Sequence, residues 1–343
     1  MSYGKRKILI ISYTWPPMEG VGLIRALKFA KYLPAYGWQP IVLTVKSGMK
    51  SGNSDPATLP GVQVFRTDYR DVIGDIKGLL SPKKSECSCH AGSGTAPGSN
   101  DKKARKPSLL REIVSMPDDQ RGWYKFGVEE GKKIVAEEHV DAIFSTSPPE
   151  TAHLIARRLS RDFDIPWIAD LRDLWADDHF RQRPMIKRIA LKFMEKHILK
   201  NADAVVTVSM PWADTLRRSI GGPLSKVKVI ENAFDEEDFK QLTHTSNDKF
   251  TITYTGKLHG DRQPVGLFFK AVKDLAASGR IDAKKIEIRF YALGYDKPDI
   301  RGMAESYDLA DIVKDLGRIG YKESLQAQKA ATSTPPATEA VGK

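Results

Sequence analysis

The sequence KILIISYTWPPMEGVGLIRALKFAKYLPAYGWQPIVLTV, residues 7–45, has the pattern of a strand, a helix and a second strand. Both ends are short apolar runs rich in β-branched residues, at 7–13 and 40–45. Between them, Leu23 and Leu27 have the spacing that places apolar side chains on one face of a helix. Parallel strands need such a crossover, so the stretch predicts a βαβ unit.

The same alternation of short apolar runs and helical patterns continues along the chain. It predicts parallel sheets covered by helices on both faces, which is the α/β class with doubly wound, Rossmann-like domains. The further predicted strands lie at residues 62–66, 141–146, 166–170, 203–208, 226–230, 250–255, 286–291 and 311–316.

Two polar stretches divide this pattern. Residues 81–107 consist mainly of Gly, Ser, Pro and charged residues with little apolar surface to bury, which predicts a disordered insertion. The second stretch, 232–249, precedes a new strand–helix series. We therefore predict an N-terminal domain over 1–235 and a partial C-terminal domain over 245–331, followed by a disordered tail at 332–343.

A formal net charge of +11 favours an anionic partner, such as nucleic acid, anionic lipid or a phosphorylated substrate. The basic clusters are not interleaved with aromatic residues and no zinc-finger or RNA-recognition signature occurs, so nucleic acid is disfavoured. An anionic membrane surface is preferred, and two solvated surfaces are the alternative. The clusters consist of Lys83, Lys84, Lys102, Lys103, Arg105, Lys106 and Arg111, and of Arg181, Arg183, Lys187, Arg188, Lys192, Lys196 and Lys200.

The second cluster lies on a predicted amphipathic helix, PMIKRIALKFMEKHILK, at residues 184–200. Ile186, Ile189, Phe193 and Met194 are expected on one side of it. Apolar residues flanked by cations predict contact with an anionic membrane, whereas a core helix with a basic outer face is the alternative.

No apolar stretch reaches the roughly 18 residues of a membrane span, and the N-terminus shows no signal-peptide cleavage site. These features predict a cytoplasmic protein, and the basic helix adds peripheral attachment at the inner membrane face. The cysteines, Cys87 and Cys89, are too close in sequence for a favourable disulfide. With His90 they give too few ligands for a structural metal site, so no metal is expected.

A Gly-x-Gly sequence follows the first strand. Gly20 and Gly22, with Arg25 beyond them, allow close approach of a ligand, and the following helix N-terminus favours a phosphate. A dinucleotide-binding fingerprint would need a third glycine at Arg25 and an acid about 20 residues later, where Gln39 and Pro40 stand. NAD is therefore disfavoured, and a tight turn without a ligand is the alternative.

Two polar segments follow later strands of the first domain. Residues 145–150, STSPPE, with His153 one turn into the next helix, lie where open α/β sheets bind ligands; a helix cap at Ser147 is the alternative. Residues 170–178, DLRDLWADD, place carboxylates around Arg172 and a tryptophan. This set suits recognition of sugar hydroxyls, with a carboxylate as base, and a surface salt-bridge cluster is the alternative.

The second domain repeats the arrangement of a strand, a glycine-containing loop and a helix at residues 255–262, TGKLHGDR. Lys257 and Arg262 supply two cations to a phosphate. Because each domain has such a loop after its first strand, we expect an anionic ligand between the domains.

These segments, in this order, resemble the family-4 retaining glycosyltransferases, especially those that assemble bacterial surface polysaccharides. The resemblance extends from residue 5 to about residue 330, and the co-occurrence of the segments is more specific than any one of them. The matching segments are PPMEGVG at 16–22 with Arg25 and AKYLPAYGW at 30–38, STSPPE at 145–150, PWIADLRDLW at 166–175, NADAVVTVS at 201–209 and VKVIENAFD at 227–235.

The resemblance implies a GT-B fold and transfer of a sugar, with retention, from a nucleoside-diphosphate sugar to a lipid-linked or polysaccharide acceptor. It implies no cofactor and no bound metal. The glycine-rich loop and the two cations of the second domain would bind the donor diphosphate, and the DLRDLW loop would face the acceptor. The implied catalytic candidates are Asp170, Arg172 and Asp173, and the donor-binding candidates are Gly20, Gly22, Arg25, Asn232, Lys257 and Arg262.

The sequence departs from the family pattern at four places, one of which is the second cation of the second domain, for which the alternative position is one residue after Arg262, where Gln263 stands. The family's hinge Asn-Gly is Asn232-Ala233 here, and Lys257 stands where arginine is usual. A pair of glutamates that holds the donor sugar and ribose is expected after Ala331, where the sequence passes into STPPATEAVGK. We therefore expect a truncated donor domain, and the alternative function is an inactive remnant that binds acceptor or membrane.

Overall fold

The structure is a computed structural model that describes residues 5–18, 21–46, 59–72, 115–177, 183–243, 247–258, 264–293 and 298–331. It divides into two compact units, Met1–Ala233 and Phe234–Lys343. The expectations for the insertion at 81–107, the cysteines, the tail at 332–343, Gly20 and Arg262 lie outside the described residues.

The first unit contains a seven-stranded parallel sheet formed by β1 (Arg6–Ile11), β2 (Trp38–Val45), β3 (Gln63–Thr67), β4 (Ala142–Ser147), β5 (Trp167–Leu171), β6 (Ala204–Thr207) and β7 (Val227–Val229). Its strand order is β3-β2-β1-β4-β5-β6-β7, so the direction of winding reverses between β1 and β4. Ligands of open α/β sheets bind at such a switch point, outside the carboxyl ends of the strands. The predicted α/β fold is confirmed.

Central strands of this sheet are covered on both faces, which explains their continuous apolar sequences. Leu9, Ile10 and Ile11 of β1 are fully buried in succession. The covering helices are α1 (Val21–Tyr32), α2 (Tyr124–Glu138), α3 (Thr151–Phe163), α4 (Met185–Leu199) and α5 (Met210–Ile220).

Helices α2 and α3 pack closely through glycines. A Cβ atom at Gly127 would lie 2.5 Å from Ile155 Cδ1, and one at Gly131 would lie 2.5 Å from Leu159 Cδ1. Larger residues would force the helices apart, so these glycines set the position of α3 against α2.

Helix α4 has a buried stripe and an exposed apolar stripe. Ile186, Ile189 and Phe193 are 71%, 62% and 72% exposed, as the predicted amphipathic helix requires. Met194 differs from the expectation, because it is half-buried and packs against the core. The reason is geometric, since Met194 lies next to Glu195 and near Leu191, Ile198 and Leu199, which form the buried stripe.

The second unit contains a smaller parallel sheet formed by β8 (Phe250–Lys257), β9 (Ile286–Leu293) and β10 (Val313–Asp315), in the order β10-β9-β8 among the described residues. Phe269 and Ile288 lie at the centre of its core and are buried. Its helices are α6 (Glu236–Lys240), α7 (Val265–Ala277), α8 (Ile300–Ser306) and α9 (Tyr321–Ala331).

The polar stretch at 232–249 includes α6, which belongs to the second unit. Lys329 Nζ of α9 donates hydrogen bonds to the carbonyl oxygens of Phe239 and Leu242, at 3.1 and 2.8 Å. These long-range bonds attach the polar segment to α9, and local composition does not reveal them.

Candidate functional site

An ion pair lies at the carboxyl edge of the first sheet. Asp170, in β5, is fully buried, and Arg25 of α1 donates to it through Nε at 3.1 Å and Nη2 at 2.9 Å. Thr146 Oγ1 of β4 donates a third contact to Asp170 Oδ2 at 2.8 Å. A buried carboxylate needs such partners to offset its lost hydration. The contacts therefore hold Asp170 in place.

Arg25 also binds the chain segment that ends the first unit. Its Nη2 donates to the carbonyl oxygen of Ile230 at 2.8 Å, and its Nη1 donates to that of Glu231 at 3.1 Å. The Asn232 side-chain oxygen lies 3.4 Å from Nη1. One guanidinium therefore joins α1, β5 and residues 230–232.

Arg172 occupies the adjoining position. Its Nη1 donates to the carbonyl oxygen of Gly22, and its Nε and Nη2 donate to those of Ser147 and Pro148 at 2.9 and 3.1 Å. Burial lowers the pKa of Arg172, and Asp170 and Asp173 act in the opposite direction. The Arg172 guanidinium remains charged, and it connects the chain segments that follow β1, β4 and β5.

Gly22 lies close to the Arg172 guanidinium. A Cβ atom at Gly22 would stand 3.1 Å from Arg172 Nη1, which is tighter than most real contacts. The nearby Arg172 side chain accounts for a glycine at this position as well as a bound ligand would. Binding of the donor diphosphate by Gly22 stays a prediction.

A buried polar chain supports the site from beneath. Trp167 Nε1 donates to Ser145 Oγ at 2.7 Å, and Ser145 Oγ lies 2.7 Å from His153 Nδ1. Since Ser145 Oγ accepts from the indole, its own hydrogen is available for His153 Nδ1. Burial, followed by the charge of Arg172, lowers the pKa of His153 to about 3. His153 is therefore neutral near pH 7.

Residues 95–233 match the family model described as Glycosyl transferase 4-like domain. Part of the first unit is therefore similar to a glycosyl transferase 4-like domain. The matched residues include Asp170, Arg172 and Asn232. No curated protein is similar enough to this chain to count as a match.

Solved structures resemble the chain in fold at low sequence identity. Sucrose-phosphate synthase from Thermosynechococcus elongatus is 16% identical with a TM-score of 0.55, covering 95% of this chain and 73% of that chain. HepE from Anabaena, in complex with UDP-glucose, is 12% identical with a TM-score of 0.53, covering 95% and 71%. HepE was also solved with UDP, at 15% identity and a TM-score of 0.51, covering 93% and 71%. The fold is that of the GT-B glycosyltransferases, with a smaller second unit.

The DLRDLW loop, which lies within the matched residues, differs from an open sugar-binding surface. Trp175 is 1% exposed, so its ring is not available for stacking on a ligand. Asp177 forms ion pairs with Arg188 and Lys192, both at 3.0 Å, as the salt-bridge alternative predicted. Asp173 is half-buried and is more accessible than Asp170.

The helix after STSPPE begins differently from the alternative considered for Ser147. Ser147 ends β4, and its carbonyl oxygen accepts from Arg172. Asp118, which sequence analysis did not single out, accepts instead from Thr151 N at 2.7 Å and Thr151 Oγ1 at 2.8 Å. Burial raises the pKa of Asp118, against the lowering effect of these hydrogen bonds. Its position far from the helix in sequence explains why it was missed.

The second unit places Lys257 at the end of β8, where its side chain is exposed. Its carbonyl oxygen accepts from the Tyr254 hydroxyl at 3.0 Å. Among the described residues, no group of three potential metal-ligating side chains is placed to hold an ion. No helix in the described part of the chain is both long and apolar enough to cross a membrane.

The structure brings together Arg25, Asp170, Arg172, Gly22 and Asn232 within the first unit. The sequence singled out each of these residues, but their mutual contacts were not predicted. The described contacts of Arg25 are to protein groups, so donor binding by Arg25 stays a prediction.

Proposed function

We propose that this protein transfers a sugar from a nucleoside-diphosphate sugar to a lipid-linked or polysaccharide acceptor, with retention at the anomeric carbon. The observation that supports it most is the Arg25–Asp170–Arg172 network at the strand ends of the first unit, whose residues 95–233 match a glycosyl transferase 4-like domain. Three loops are fixed there, where open α/β sheets bind ligands. UDP and UDP-glucose in the HepE complexes favour a uridine nucleotide as donor.

The first unit would orient the acceptor. Asp170 accepts from Arg25 and Thr146, which makes it a positioning residue. Asp173, on the same loop and half-buried, is the carboxylate better placed to accept a hydrogen bond from an acceptor hydroxyl. Fixed groups of this kind promote reaction by holding the reacting atoms in orientation.

In the second unit, Lys257 would bind the donor diphosphate, with the charge of the leaving group met by cations in place of a metal. We expect Lys257→Ala to weaken UDP binding by about 10- to 100-fold, the usual loss for one charge-assisted hydrogen bond. Calorimetry with UDP, GDP and ADP measures the effect and identifies the base.

Lys285→Ala is the matched control for that measurement. Lys285 is exposed and directly precedes β9, so it lies at the amino edge of the same sheet, opposite Lys257. An equal loss of affinity in both variants would contradict the assignment of Lys257. If none of the three nucleotides binds, the alternative of a remnant that binds only acceptor or membrane is favoured.

We also propose that α4 attaches the protein to anionic membrane, through Ile186, Ile189 and Phe193 with their neighbouring lysines and arginines. The double variant Ile189→Ser/Phe193→Ser should reduce binding to phosphatidylglycerol vesicles by about 10-fold or more, because two exposed apolar side chains no longer enter the lipid. Co-sedimentation at low salt measures this binding.

The control for membrane binding is Phe234→Ser/Leu267→Ser in the second unit. Phe234 and Leu267 are 72% and 66% exposed, which matches the exposure of Phe193 and Ile189. Binding should survive in the control and should fall as salt screens the cations. Binding that is unchanged in the α4 variant would exclude this helix as the contact.

A further inference from the structure

A basic cavity of about 810 Å³ lies in the first unit, away from the Arg25–Asp170–Arg172 network. It is bounded by the segment around Met116, the start of α2 and the outer face of α3. Among the described residues that line it, none is acidic. Its cationic side chains are Arg70, Arg121, Lys125, Arg157, Arg158 and Arg161.

Two of the three α3 arginines in this cavity, Arg157 and Arg161, repel each other, whereas Arg158 forms an ion pair with Asp162 at 2.8 Å. Arg157 and Arg161 are one helical turn apart, and burial and then the charge of Arg161 lower the pKa of Arg157. Arg157 Nη2 lies 3.2 Å from His197 Nε2, whereas Arg157 Nε is buried and has no hydrogen-bond partner among the described residues. Like charges one helical turn apart are unfavourable, and an anion bound beside Arg157 and Arg161 would relieve their repulsion.

Apart from Tyr124, the rest of the described lining is apolar. Phe126 of α2, Leu154 of α3 and Met194 of α4 face the same space, together with Met116 and Pro117. A free inorganic anion would use only the cationic part of such a cavity. The combination fits a ligand with a charged head and a hydrocarbon chain.

We propose that this cavity binds a phosphate ester of an apolar alcohol and, resting on the proposed function, that this ligand is the lipid-phosphate part of the acceptor. The arginines would bind the phosphate oxygens through paired N–H groups. The apolar lining would cover the first part of the chain. Neither the phosphate contacts nor the apolar contacts require the nucleotide.

The test is calorimetric binding of dodecyl phosphate to the full chain without nucleotide, below the micelle concentration, beside inorganic phosphate and dodecyl maltoside. We expect dodecyl phosphate to bind at least about 10-fold more tightly than inorganic phosphate, and dodecyl maltoside not to bind. Inorganic phosphate that binds as tightly as dodecyl phosphate, or equal binding of the maltoside, would overturn the proposal.

Variants locate the site. Arg157→Gln/Arg161→Gln should weaken dodecyl phosphate by about 10- to 100-fold, and so should Lys125→Gln/Arg161→Gln, whose residues are exposed and tolerate replacement. Lys133→Gln/Lys228→Gln removes the same charge from exposed positions outside the cavity lining and should bind normally. An equal loss of dodecyl phosphate affinity in this control, or unchanged affinity in both cavity variants, would contradict the assignment of the site to this cavity. UDP binding should be unaffected throughout, so failure here is distinguishable from failure of the proposed function.

Discussion

Arg25→Leu should lower the free energy of unfolding of the first unit by about 3–5 kcal/mol, the usual cost of removing one partner from a buried ion pair. The Asp170 side chain is 0% exposed and that of Arg25 is 9% exposed, so water cannot replace the lost guanidinium. Thr146 alone would remain to donate a side-chain hydrogen bond to the carboxylate. The variant also frees residues 230–232 from Arg25.

Tryptophan fluorescence during urea unfolding measures this effect in the first unit, because every tryptophan lies there. Lys46→Leu is the control: Lys46 and Asp68 are 2.8 Å apart, but their side chains are 61% and 65% exposed. Such a surface pair contributes less than about 1 kcal/mol. Adding Asp170→Asn to Arg25→Leu should restore part of the stability, since no buried charge is then left alone. Equal losses in Arg25→Leu and Lys46→Leu would contradict the argument. The six tryptophans are Trp15, Trp38, Trp123, Trp167, Trp175 and Trp212.

The strands of both units were predictable because each buried parallel strand is a short apolar run bounded by polar or glycine-containing segments. β1 is an example, because its run of consecutive apolar residues identifies a buried strand without reference to any other part of the chain. α6 was not predicted, although Asp235 caps its N-terminus and its first turn is acidic, because it is a short polar helix whose further contacts come from α9, far along the chain. Local sequence predicts an element well only when local properties determine it.

The site follows the same rule. Arg25 and Asp170 were both recognised as polar residues at strand ends, but their pairing depends on β4 lying between β1 and β5. Sequence alone does not give that order. Gly22 was attributed to a phosphate or a tight turn, and its nearness to Arg172 was not predicted. The chemistry of a residue is therefore visible in sequence before its partner is.

The basic cavity was not predicted for a related reason. Its cations come from α2, α3, the segment at Arg70 and a short 3-10 helix at Arg121, and only the arginines of α3 lie together on one long helix in the sequence. Arg157 and Arg161 are one helical turn apart, on the face of α3 opposite the buried Ile155 and Leu159, and this spacing was the available sequence signal for the cavity. The remaining side chains converge only when α2 packs on α3.

Acid should destabilise the first unit through His153, by about 3 kcal/mol between pH 6.5 and pH 4. In the folded state burial lowers the pKa of His153 to about 3 from its ordinary 6.5. Between these values the unfolded chain binds a proton that the folded chain does not. The stabilisation is therefore complete above pH 6.5, falls as the pH drops, and levels off near pH 3.

His153→Asn removes this titration while retaining a polar atom near Ser145 Oγ. The variant should be less stable than the natural chain at pH 7. Between pH 6.5 and pH 4, however, its free energy of unfolding should fall by about 3 kcal/mol less than that of the natural chain. Asp118 and Glu195, whose pKa values burial raises, titrate in both proteins, so their effects cancel in the difference between the two pH profiles.

His139→Asn is the control, because His139 is exposed in a left-handed conformation that asparagine tolerates. Urea unfolding followed by tryptophan fluorescence at pH 7, 6, 5 and 4 gives the slopes, and parallel pH profiles for His153→Asn and the natural chain would show that His153 is not the group responsible.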